Sequence, residues 1–535
     1  MALTYLIPSI NLPITAPPEE ALAAAARQLK RLGAASETIR YHIYRRSVDA
    51  RKREDIRFVY SVAASGDFSV QSAARLARAG LSPLAEGAPL CVHGSETLTA
   101  RPVVVGTGPA GLFAALLLAE QGYCPLVLER GGDVNDRVNA VSAFSKTRVL
   151  DEETNIQFGA GGAGTFSDGK LVTRVSDPLN NYVLSQFVAF GAPAEITMLA
   201  KPHIGTDILR TLVFRMLARI EELGGEVRYH TCVRDLRLSS GRVSAVVTED
   251  GEIPCGALIL VIGHSARDTY RMLLSHNIAI EAKPFSVGVR IEHLQEDIDR
   301  AMYGRFAGHP ALGHAEYTLS DRTGERGVYT FCMCPGGEVV AATSETHGVV
   351  VNGMSAHARD GKNANAAVAV SVNREDYGNT PEAAIAFQQR IEQAAYRAGG
   401  GDYSAPACLL GDFMEGKQAG EINGRIAPSY MNGGVRPALP DEYLPEFVVR
   451  SLRYSLPLFE RRIAGYTVRD AVLTGPETRT SAPLRILRNE ARVSLTLDNL
   501  YPCGEGAGYA GGITSAALDG IHTAEAVMAR YRSEW

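Results

Sequence analysis

Two glycine-rich segments, one early and one late in the chain, carry the residue types and spacing that could bind a phosphorylated cofactor. In the first, Gly106, Gly108 and Gly111 follow a short apolar strand and open an apolar helix, after which a second strand ends at Glu129. This is the order of a dinucleotide-binding βαβ unit with its G-x-G-x-x-G turn. Gly106 allows the tight turn, Gly108 lets the backbone approach a pyrophosphate, and Gly111 lets helix and strand pack closely. Because the N–H groups at the helix N-terminus attract a pyrophosphate and Glu129 can accept hydrogen bonds from a ribose, the segment predicts an adenine dinucleotide.

The second segment, Gly504–Ile513, precedes a long helix, and we expect an apolar strand at Val493–Leu497 just before it. An acid followed by glycines at a helix entry suits a ribityl chain and a flavin ring. We expect Glu505 to hold ribityl or phosphate-linked hydroxyls. The N–H groups near Gly512 and Ile513 should face the N1–C2=O edge of the flavin, where the helix dipole stabilises negative charge. Because the two segments lie at opposite ends of the chain, we predict one extended FAD rather than NAD.

The composition is that of an ordinary folded protein. The chain has 535 residues, enough for two or more domains, with 46% hydrophobic and 21% charged residues and a net charge of -5. The mild negative charge argues against strong binding to nucleic acid or to an anionic membrane. The chain opens on no basic-then-apolar leader and holds no apolar run long enough to span a membrane, so we expect a soluble, cytoplasmic protein.

The eight cysteines are scattered without a C-x-x-C pair, a pattern that indicates neither a zinc site nor a disulfide framework. No metal site is therefore expected. Cys332 and Cys334 are the nearest pair and fall in a predicted strand. Positions i and i+2 share one face of a strand, so we favour a packing role for both, with a redox pair as the alternative.

The pattern of elements divides the chain into four segments. Residues 1–95 are predicted to form a β-α-β-β-α appendage of ferredoxin-like type, and 96–283 the first part of an FAD-binding domain. Residues 284–475 are predicted to form a substrate domain on a mixed or antiparallel sheet, and 476–535 the C-terminal part of the FAD-binding domain. The predicted fold class is α/β, with a three-layer ββα Rossmann-like FAD domain, an inserted substrate domain and a small N-terminal appendage.

A basic cluster lies between the second and third predicted strands of the appendage and comprises Arg45, Arg46, Arg51, Lys52 and Arg53. Such a cluster could bind an anion, a nucleic acid or a partner. A solvated hairpin tip is the simpler interpretation. No interleaved aromatic residues support binding of single-stranded nucleic acid.

Besides the first glycine-rich segment, several segments typical of one known group of proteins are spread over nearly the whole chain. On these motifs the chain resembles bacterial FAD-dependent dehydrogenases or NAD(P)/FAD-dependent oxidoreductases of the glutathione-reductase-type FAD superfamily. The resemblance implies FAD as cofactor and an oxidoreductase activity, and it leaves the substrate open. The matching segments are Ser47–Lys52, Gly161–Leu171, Gly263–Asp268, Lys283–His293, Asn352–Ser355, Glu477–Ser481 and Gly504–Ile513.

The resemblance also implies which residues bind the cofactor. The ADP half would lie on the first glycine motif and Glu129, beside Arg130, and Val233, at the end of its strand, would meet the adenine through its backbone. Gly263 would end the strand that closes the site, and the loop 159–164 would approach the pyrophosphate or the flavin. The full expected set is Gly106, Gly108, Pro109, Ala110, Gly111, Glu129, Arg130, Gly161, Gly162, Gly164, Thr165, Val233, Gly263, Gly504, Glu505, Gly511, Gly512 and Ile513.

The residues indicate less about the chemistry beyond the cofactor. The turn at Gly263–Thr269 lacks the spacing of a second dinucleotide fingerprint, and no redox C-x-x-C follows the first helix, which disfavours a disulfide reductase with its own NAD(P)H domain. Arg290, Arg479 and Arg485 are candidates to orient a carboxylate or phosphate, as a bidentate guanidinium does. An ion pair within the fold is the alternative for each. No general base is identified, so the catalytic residues stay open.

We therefore predict an FAD-dependent oxidoreductase that transfers a hydride between flavin N5 and a small organic substrate, with NAD(P)H as a transient electron donor or acceptor. Two alternatives remain. One is a flavin-dependent monooxygenase, and the other is an RNA-modifying or nucleic-acid-binding flavoprotein that uses the basic cluster. We expect a small-molecule partner, no membrane and, from the charge, no nucleic acid; the sequence predicts no oligomeric state.

Overall fold

Short strands alternate with helices through most of the chain, as expected of an α/β protein. The computed structural model describes residues 3–85 and 87–533. The strands are β1 (Leu3–Pro13), β2 (Arg40–Asp49), β3 (Arg57–Gly66), β4 (Val103–Val105), β5 (Leu126–Leu128), β6 (Glu226–Arg228), β7 (Asp235–Ser239), β8 (Arg242–Thr248), β9 (Gly251–Pro254), β10 (Leu258–Leu260), β11 (Ile280–Ala282), β12 (Phe285–Leu294), β13 (Ser320–Asp321), β14 (Val328–Cys334), β15 (Glu338–Ala341), β16 (Val351–Met354), β17 (Asn363–Val372), β18 (Ala405–Leu409), β19 (Val435–Pro437), β20 (Val472–Glu477), β21 (Leu484–Ile486) and β22 (Leu500–Pro502). The helices are α1 (Glu19–Arg31), α2 (Val70–Arg78), α3 (Pro109–Glu120), α4 (Val134–Thr147), α5 (Asn180–Ala189), α6 (Thr206–Glu222), α7 (Arg267–Ser275), α8 (Gln295–Tyr303), α9 (Arg374–Tyr377), α10 (Pro381–Ala398), α11 (Leu410–Glu415), α12 (Glu446–Glu460) and α13 (Ile513–Arg530).

These elements belong to two compact units. The smaller unit contains the chain up to Ala88 together with Ser176–His203 and Glu296–Ala315. The larger unit contains the rest of the chain and therefore both glycine motifs.

A three-stranded antiparallel sheet, in the order β1–β3–β2, forms the centre of the smaller unit. Helix α1 buries Ala21, Ala25 and Leu29, whose spacing of four places them on one helical face. The order β1, α1, β2, β3, α2 is the β-α-β-β-α order predicted for the N-terminal part of the chain.

The basic cluster does not lie wholly at a hairpin tip, because β2 extends to Asp49 and contains Arg45 and Arg46. The guanidinium of Arg46 lies 5.0 Å from the centroid of the Phe58 ring. Arg51, in the turn, pairs with Asp49 at 2.5 Å. Part of the charge of the cluster is therefore compensated within the hairpin itself.

The first sheet of the larger unit is parallel and has the order β22–β10–β4–β5–β6. All residues of β4 and β5 are buried, and helix α3 is buried from Ala110 to Ala119, as expected of a helix that is covered on all sides. A Cβ on Gly520 of α13 would lie 2.1 Å from the carbonyl oxygen of Ala110. Glycine at this position therefore lets α13 pack closely against α3.

Two of the strands predicted from the sequence end early or are displaced. Val493–Leu497 does not form a strand; its Leu495 is largely exposed, and β22 takes its place before the second glycine motif by pairing with β10. The strand predicted over Val227–Val233 ends at Arg228. It ends there because His230 has a φ of 50°, a left-handed conformation that a continuing strand does not allow.

The second large sheet is mixed and has the order β13–β14–β17–β12–β20–β18–β19. Only β18 and β19 pair in parallel among these strands, and β12 and β17 at its centre are almost wholly buried. Its strands come from residues 285–477. A smaller antiparallel sheet, β7–β8–β9, lies between β6 and β10 in the sequence. None of the described helices is long and apolar enough to cross a membrane.

Candidate functional site

A cavity of about 340 Å³ in the larger unit is lined by residues that directly follow four strands of the parallel sheet. Because β4, β5, β10 and β22 are parallel neighbours, their carboxyl ends meet at one edge, where open α/β sheets bind ligands. The two glycine motifs, far apart in the sequence, therefore open onto the same space. The lining residues that belong to the expected set are Gly106, Gly108, Pro109, Ala110, Glu129, Arg130, Gly162, Gly164, Val233, Gly263, Gly504, Glu505, Gly511, Gly512 and Ile513.

Three expected residues, Gly111, Gly161 and Thr165, do not line the cavity and instead support its wall. A Cβ on Gly111 would lie 2.0 Å from the carbonyl oxygen of Gly106, so glycine there permits the close contact of helix and strand. The N–H of Gly161 donates to Thr107 Oγ1 at 3.2 Å, and Thr165 Oγ1 donates to the main chain inside the loop.

Two helices begin at the cavity without a side-chain cap. Gly108 is the N-cap of α3 and Gly512 is the N-cap of α13, and neither position supplies a side chain to the first N–H groups of its helix. Uncapped N-termini attract anionic groups through those N–H donors and the helix dipole. A Cβ on Gly108 or Gly512 would meet nothing within 4 Å, so each glycine leaves open space before the donors. This donor set fits a pyrophosphate at α3 and the electron-rich edge of a flavin at α13.

Glu129 is buried and already accepts four hydrogen bonds within the fold. Thr107 donates through its N–H at 3.0 Å and its hydroxyl at 2.5 Å, and the N–H groups of Gly131 and Gly159 donate at 3.1 and 3.0 Å. The carboxylate therefore joins the first glycine turn to the 159–164 loop. A ribose hydroxyl that bound here would have to share these acceptor oxygens.

The neighbouring residues at this end of the cavity differ in part from expectation. Arg130 lies beside Glu129 as predicted, with its guanidinium 4.1 Å from the centroid of the Phe158 ring and paired with Glu153 at 2.7 Å. Val233 lines the cavity, but it lies five residues beyond the last residue of β6 rather than at a strand end. The left-handed turn at His230 brings it there.

Glu505 faces the cavity, and no described residue donates a hydrogen bond to its carboxylate. Burial raises the pKa of Glu505 to about 7, and the charge of Lys283 only partly opposes that rise. A carboxylate held out of water with open acceptor positions is suited to accept hydrogen bonds from hydroxyl groups of a ligand.

The opposite part of the cavity is formed by residues of strands β14, β16 and β20 and by residues outside the strands. The wall residues there are Lys170, Phe331, Cys332, Asn352, Glu477, Arg479 and Thr480. Among them Arg479 was a candidate to orient a substrate, and Cys332 was considered as a packing or redox residue. The other five were given no role from the sequence, and they come from strands β14, β16 and β20 and from two loops.

The three candidate arginines are used inside the fold. Arg290 is fully buried and donates to both oxygens of Glu477, at 2.7 and 3.1 Å. Arg479 lines the cavity but pairs with Glu392 at 3.0 Å. Arg485 does not line the cavity. Arg290 and Arg479 therefore form the ion pairs that were the alternative interpretation for each, and Arg479 also lines the cavity.

Lys170 is the cation that remains at this wall. Its ammonium donates to Asp168 Oδ2 at 2.6 Å and to the carbonyl oxygen of Met333. Burial opposes its charge, but the charges of Cys334 and Asp168 raise the pKa of Lys170 overall. Arg359 also pairs with Asp168, which holds the carboxylate in place. Lys170 also lines the cavity, and the described residues provide no third acceptor for its ammonium.

His264 lines the cavity as a neutral base. Burial, helped by the charges of Arg479 and Arg267, lowers the pKa of His264 to about 3. Its Nδ1 lies 2.9 Å from Ser265 Oγ. An imidazole with so low a pKa is not a proton donor at neutral pH.

Family comparisons agree with this architecture. Residues 284–480 match the model of an FAD-dependent protein, C-terminal domain-like, and residues 104–154 match an NAD(P)-binding Rossmann-like domain. Residues 6–65 match a domain of unknown function. The first two matches, together with the parallel sheet, are those of an FAD-dependent protein with a Rossmann-like dinucleotide-binding domain.

An uncharacterised protein of Clostridium beijerinckii is 46% identical over 508 residues, which cover 94% of this chain and 95% of that protein. The chain belongs to the same protein family.

Solved structures of related fold are far more distant. Glycine oxidase from Bacillus cereus is 10% identical over 81% of this chain and 99% of its own, with a TM-score of 0.32. L-amino acid deaminase from Proteus vulgaris is 14% identical over 84% and 98%, with a TM-score of 0.33. L-proline dehydrogenase from P. horikoshii is 13% identical over 81% and 94%, with a TM-score of 0.32. These similarities are too remote to bear on the activity of this chain.

Proposed function

We propose that this protein oxidises or reduces a small organic molecule by hydride transfer, in the part of the cavity lined by the mixed sheet. One observation carries the proposal: the cavity continues past both glycine motifs to a wall that is no part of the expected cofactor set and includes Phe331, Cys332 and Asn352 of the predicted substrate domain. Bound FAD would supply N5 as the hydride donor or acceptor. The first glycine motif and Glu129 would hold its ADP half, and Glu505, Gly512 and Ile513 its ribityl chain and ring.

The wall offers one charged donor, one amide and one apolar surface to a substrate. Lys170 Nζ can donate a hydrogen bond or a proton into the cavity. Asn352 accepts from Arg290 Nη2 through Oδ1 at 2.8 Å, which leaves its amide Nδ2 to face outward. Phe331, at 38% exposure, supplies an apolar contact. These groups favour a substrate whose reacting carbon bears an oxygen or nitrogen atom, with Lys170 as the hydrogen-bond or proton donor at that atom.

The direct test begins with the purified protein, which should carry bound FAD. It is reduced anaerobically with NADH and with NADPH in separate experiments, and the flavin absorbance is followed during reoxidation by a panel of small carbonyl and imine compounds. The variant Lys170→Met should keep its FAD but slow substrate-dependent reoxidation by on the order of a hundredfold. Lys146→Met, which changes an exposed lysine, is the matched control.

Two results would contradict the proposal. A chain that binds no FAD would remove its basis. A Lys170→Met protein that is reoxidised as fast as the wild type by an active substrate would remove the assigned proton-transfer role.

A further inference from the structure

Strand β14 contains an irregularity at Cys332 and Cys334, of which Cys332 lines the substrate end of the cavity. Its pairing with β17 shifts register between Phe331 and Cys334, and Cys332 has a φ of 44°. A left-handed conformation is uncommon for a residue with a Cβ, and such positions occur most often where function requires them. The prediction that Cys332 and Cys334 share one face of a regular strand is therefore wrong.

The irregularity places the two thiols together but in different surroundings. Cys332 lines the cavity, whereas Cys334 is wholly buried behind it. The two thiols hydrogen-bond to each other, and Cys334 Sγ also lies 3.4 Å from the carbonyl oxygen of Cys332. One sulfur is thus accessible from the cavity, and the other is buried beside it.

Cationic groups surround this pair. Arg290 Nη1 donates to the carbonyl oxygen of Cys332 at 3.0 Å and lies 4.0 Å from Cys334 Sγ. The ammonium of Lys170 donates to the carbonyl oxygen of Met333, between the two cysteines. The hydrogen bond from Cys334, aided by the charges of Arg290 and Lys170, holds the pKa of Cys332 below its usual range, while the same hydrogen bond raises the pKa of Cys334. Thiolate character is what makes a cysteine reactive in redox exchange.

We propose that Cys332 and Cys334 form a redox-active dithiol that exchanges an electron pair with the bound flavin, an inference that rests on the proposed FAD site. When the pair is oxidised, an S–S bond forms between the two Sγ atoms, and the two thiols lose two protons and two electrons. Bound FAD would accept both electrons and one of the protons, and the second proton would pass to solvent. In the reverse direction the reduced flavin would return two electrons and one proton to the disulfide, and a second proton from solvent would complete the recovery of both thiols. The pair would let one chain store a second electron pair beside its cofactor.

The test is an anaerobic reductive titration of the FAD-loaded protein after oxidation in air. Wild type should consume about two two-electron equivalents of dithionite per flavin, one for the flavin and one for the disulfide. Cys332→Ala and Cys334→Ala should each consume about one. Cys408→Ala is the matched control, because Cys408 is a buried cysteine of the same sheet outside the cavity, and it should behave as wild type.

Peptide mass mapping of the wild type keeps the inference testable if a variant fails to fold. In the air-oxidised protein, the peptide that spans both cysteines should be lighter by two hydrogens and resist alkylation, and reduction should make both thiols alkylatable. A flavin-loaded wild type that consumes one equivalent, with both thiols alkylatable throughout, would overturn this inference and leave the proposed function intact. A chain without flavin would instead overturn the proposed function and this inference with it.

Discussion

Replacing Glu505 with glutamine tests whether the cavity holds a carboxyl group out of water. Burial raises the pKa of Glu505 to about 7 from an ordinary 4.5. Folding therefore disfavours the charged form, so the unfolding free energy contributed by this group falls as the pH rises from 4.5 to 7 and stays low above pH 7. The raised and the ordinary pKa differ by about two and a half units, which corresponds to a loss of roughly 3 kcal/mol in unfolding free energy at pH 8. This figure is an upper value, because the side chain is half-buried.

The measurement is urea unfolding of the flavin-free protein at pH 5 and pH 8. At pH 5 the wild-type carboxyl is mostly protonated, so wild type and Glu505→Gln should be similar in stability. At pH 8 the variant should be more stable by up to roughly 3 kcal/mol. Glu490→Gln, which changes an exposed carboxylate, serves as control and should show no such divergence. If the unfolding free energies of wild type and Glu505→Gln differ by the same amount at both pH values, the argument that Glu505 is desolvated is refuted.

The pH dependence of FAD binding is a second test of Glu505. If ribityl hydroxyls donate to the Glu505 carboxylate, they stabilise its charged form, so binding lowers its pKa. The affinity of the wild type for FAD should then rise between pH 6 and pH 8, and this rise should be absent in Glu505→Gln. An affinity independent of pH in both proteins would argue against contact between Glu505 and the ribityl chain.

Two further predictions concern the framework of the site. Glu392→Gln should destabilise the protein by about 3–5 kcal/mol in urea unfolding, because Glu392 pairs with the buried Arg267 and Arg479. Glu382→Gln, which changes an exposed residue of the same helix, is the control and should change the stability little. A loss of less than about 1 kcal/mol in Glu392→Gln would contradict the pairing argument. Gly111→Ala should lower the free energy of unfolding by about 1–3 kcal/mol, because its Cβ would meet the Gly106 carbonyl oxygen. Gly108→Ala has open space at its Cβ, so it should keep the stability of the wild type and lose FAD affinity. A Gly108→Ala protein that is less stable than Gly111→Ala would refute these assignments.

The parts of the site that local sequence specifies were predictable. A strand, a glycine turn and a helix entry are contiguous, so Gly106, Gly108 and Gly512 could be placed from spacing alone. Their meeting in one cavity could be inferred only because one extended cofactor was assumed to contact both motifs. The N-terminal β-α-β-β-α order was predictable for the same local reason, since its helix and strand periods are clear.

The errors arose where tertiary pairing decides the outcome. The apolar run Val493–Leu497 has the composition of a strand, but β10 pairs with β22 instead, and composition carries no information on register. The strand before Val233 stops at a left-handed residue that has no glycine to signal it. The irregularity at Cys332 is likewise invisible in a sequence that alternates like an ordinary strand.

The arginines show why charge in a sequence is a poor guide to substrate contacts. Burying a guanidinium without a partner costs several kcal/mol, so a buried arginine is retained where carboxylates compensate it. Arg290 meets Glu477, and Arg479 meets Glu392, each from a distant part of the chain. Both arginines therefore act by positioning the wall, and Arg290 also orders Asn352 and the backbone of Cys332. The groups left to contact a substrate are those that this framework holds at the cavity surface, and they are recognisable only once the framework is known.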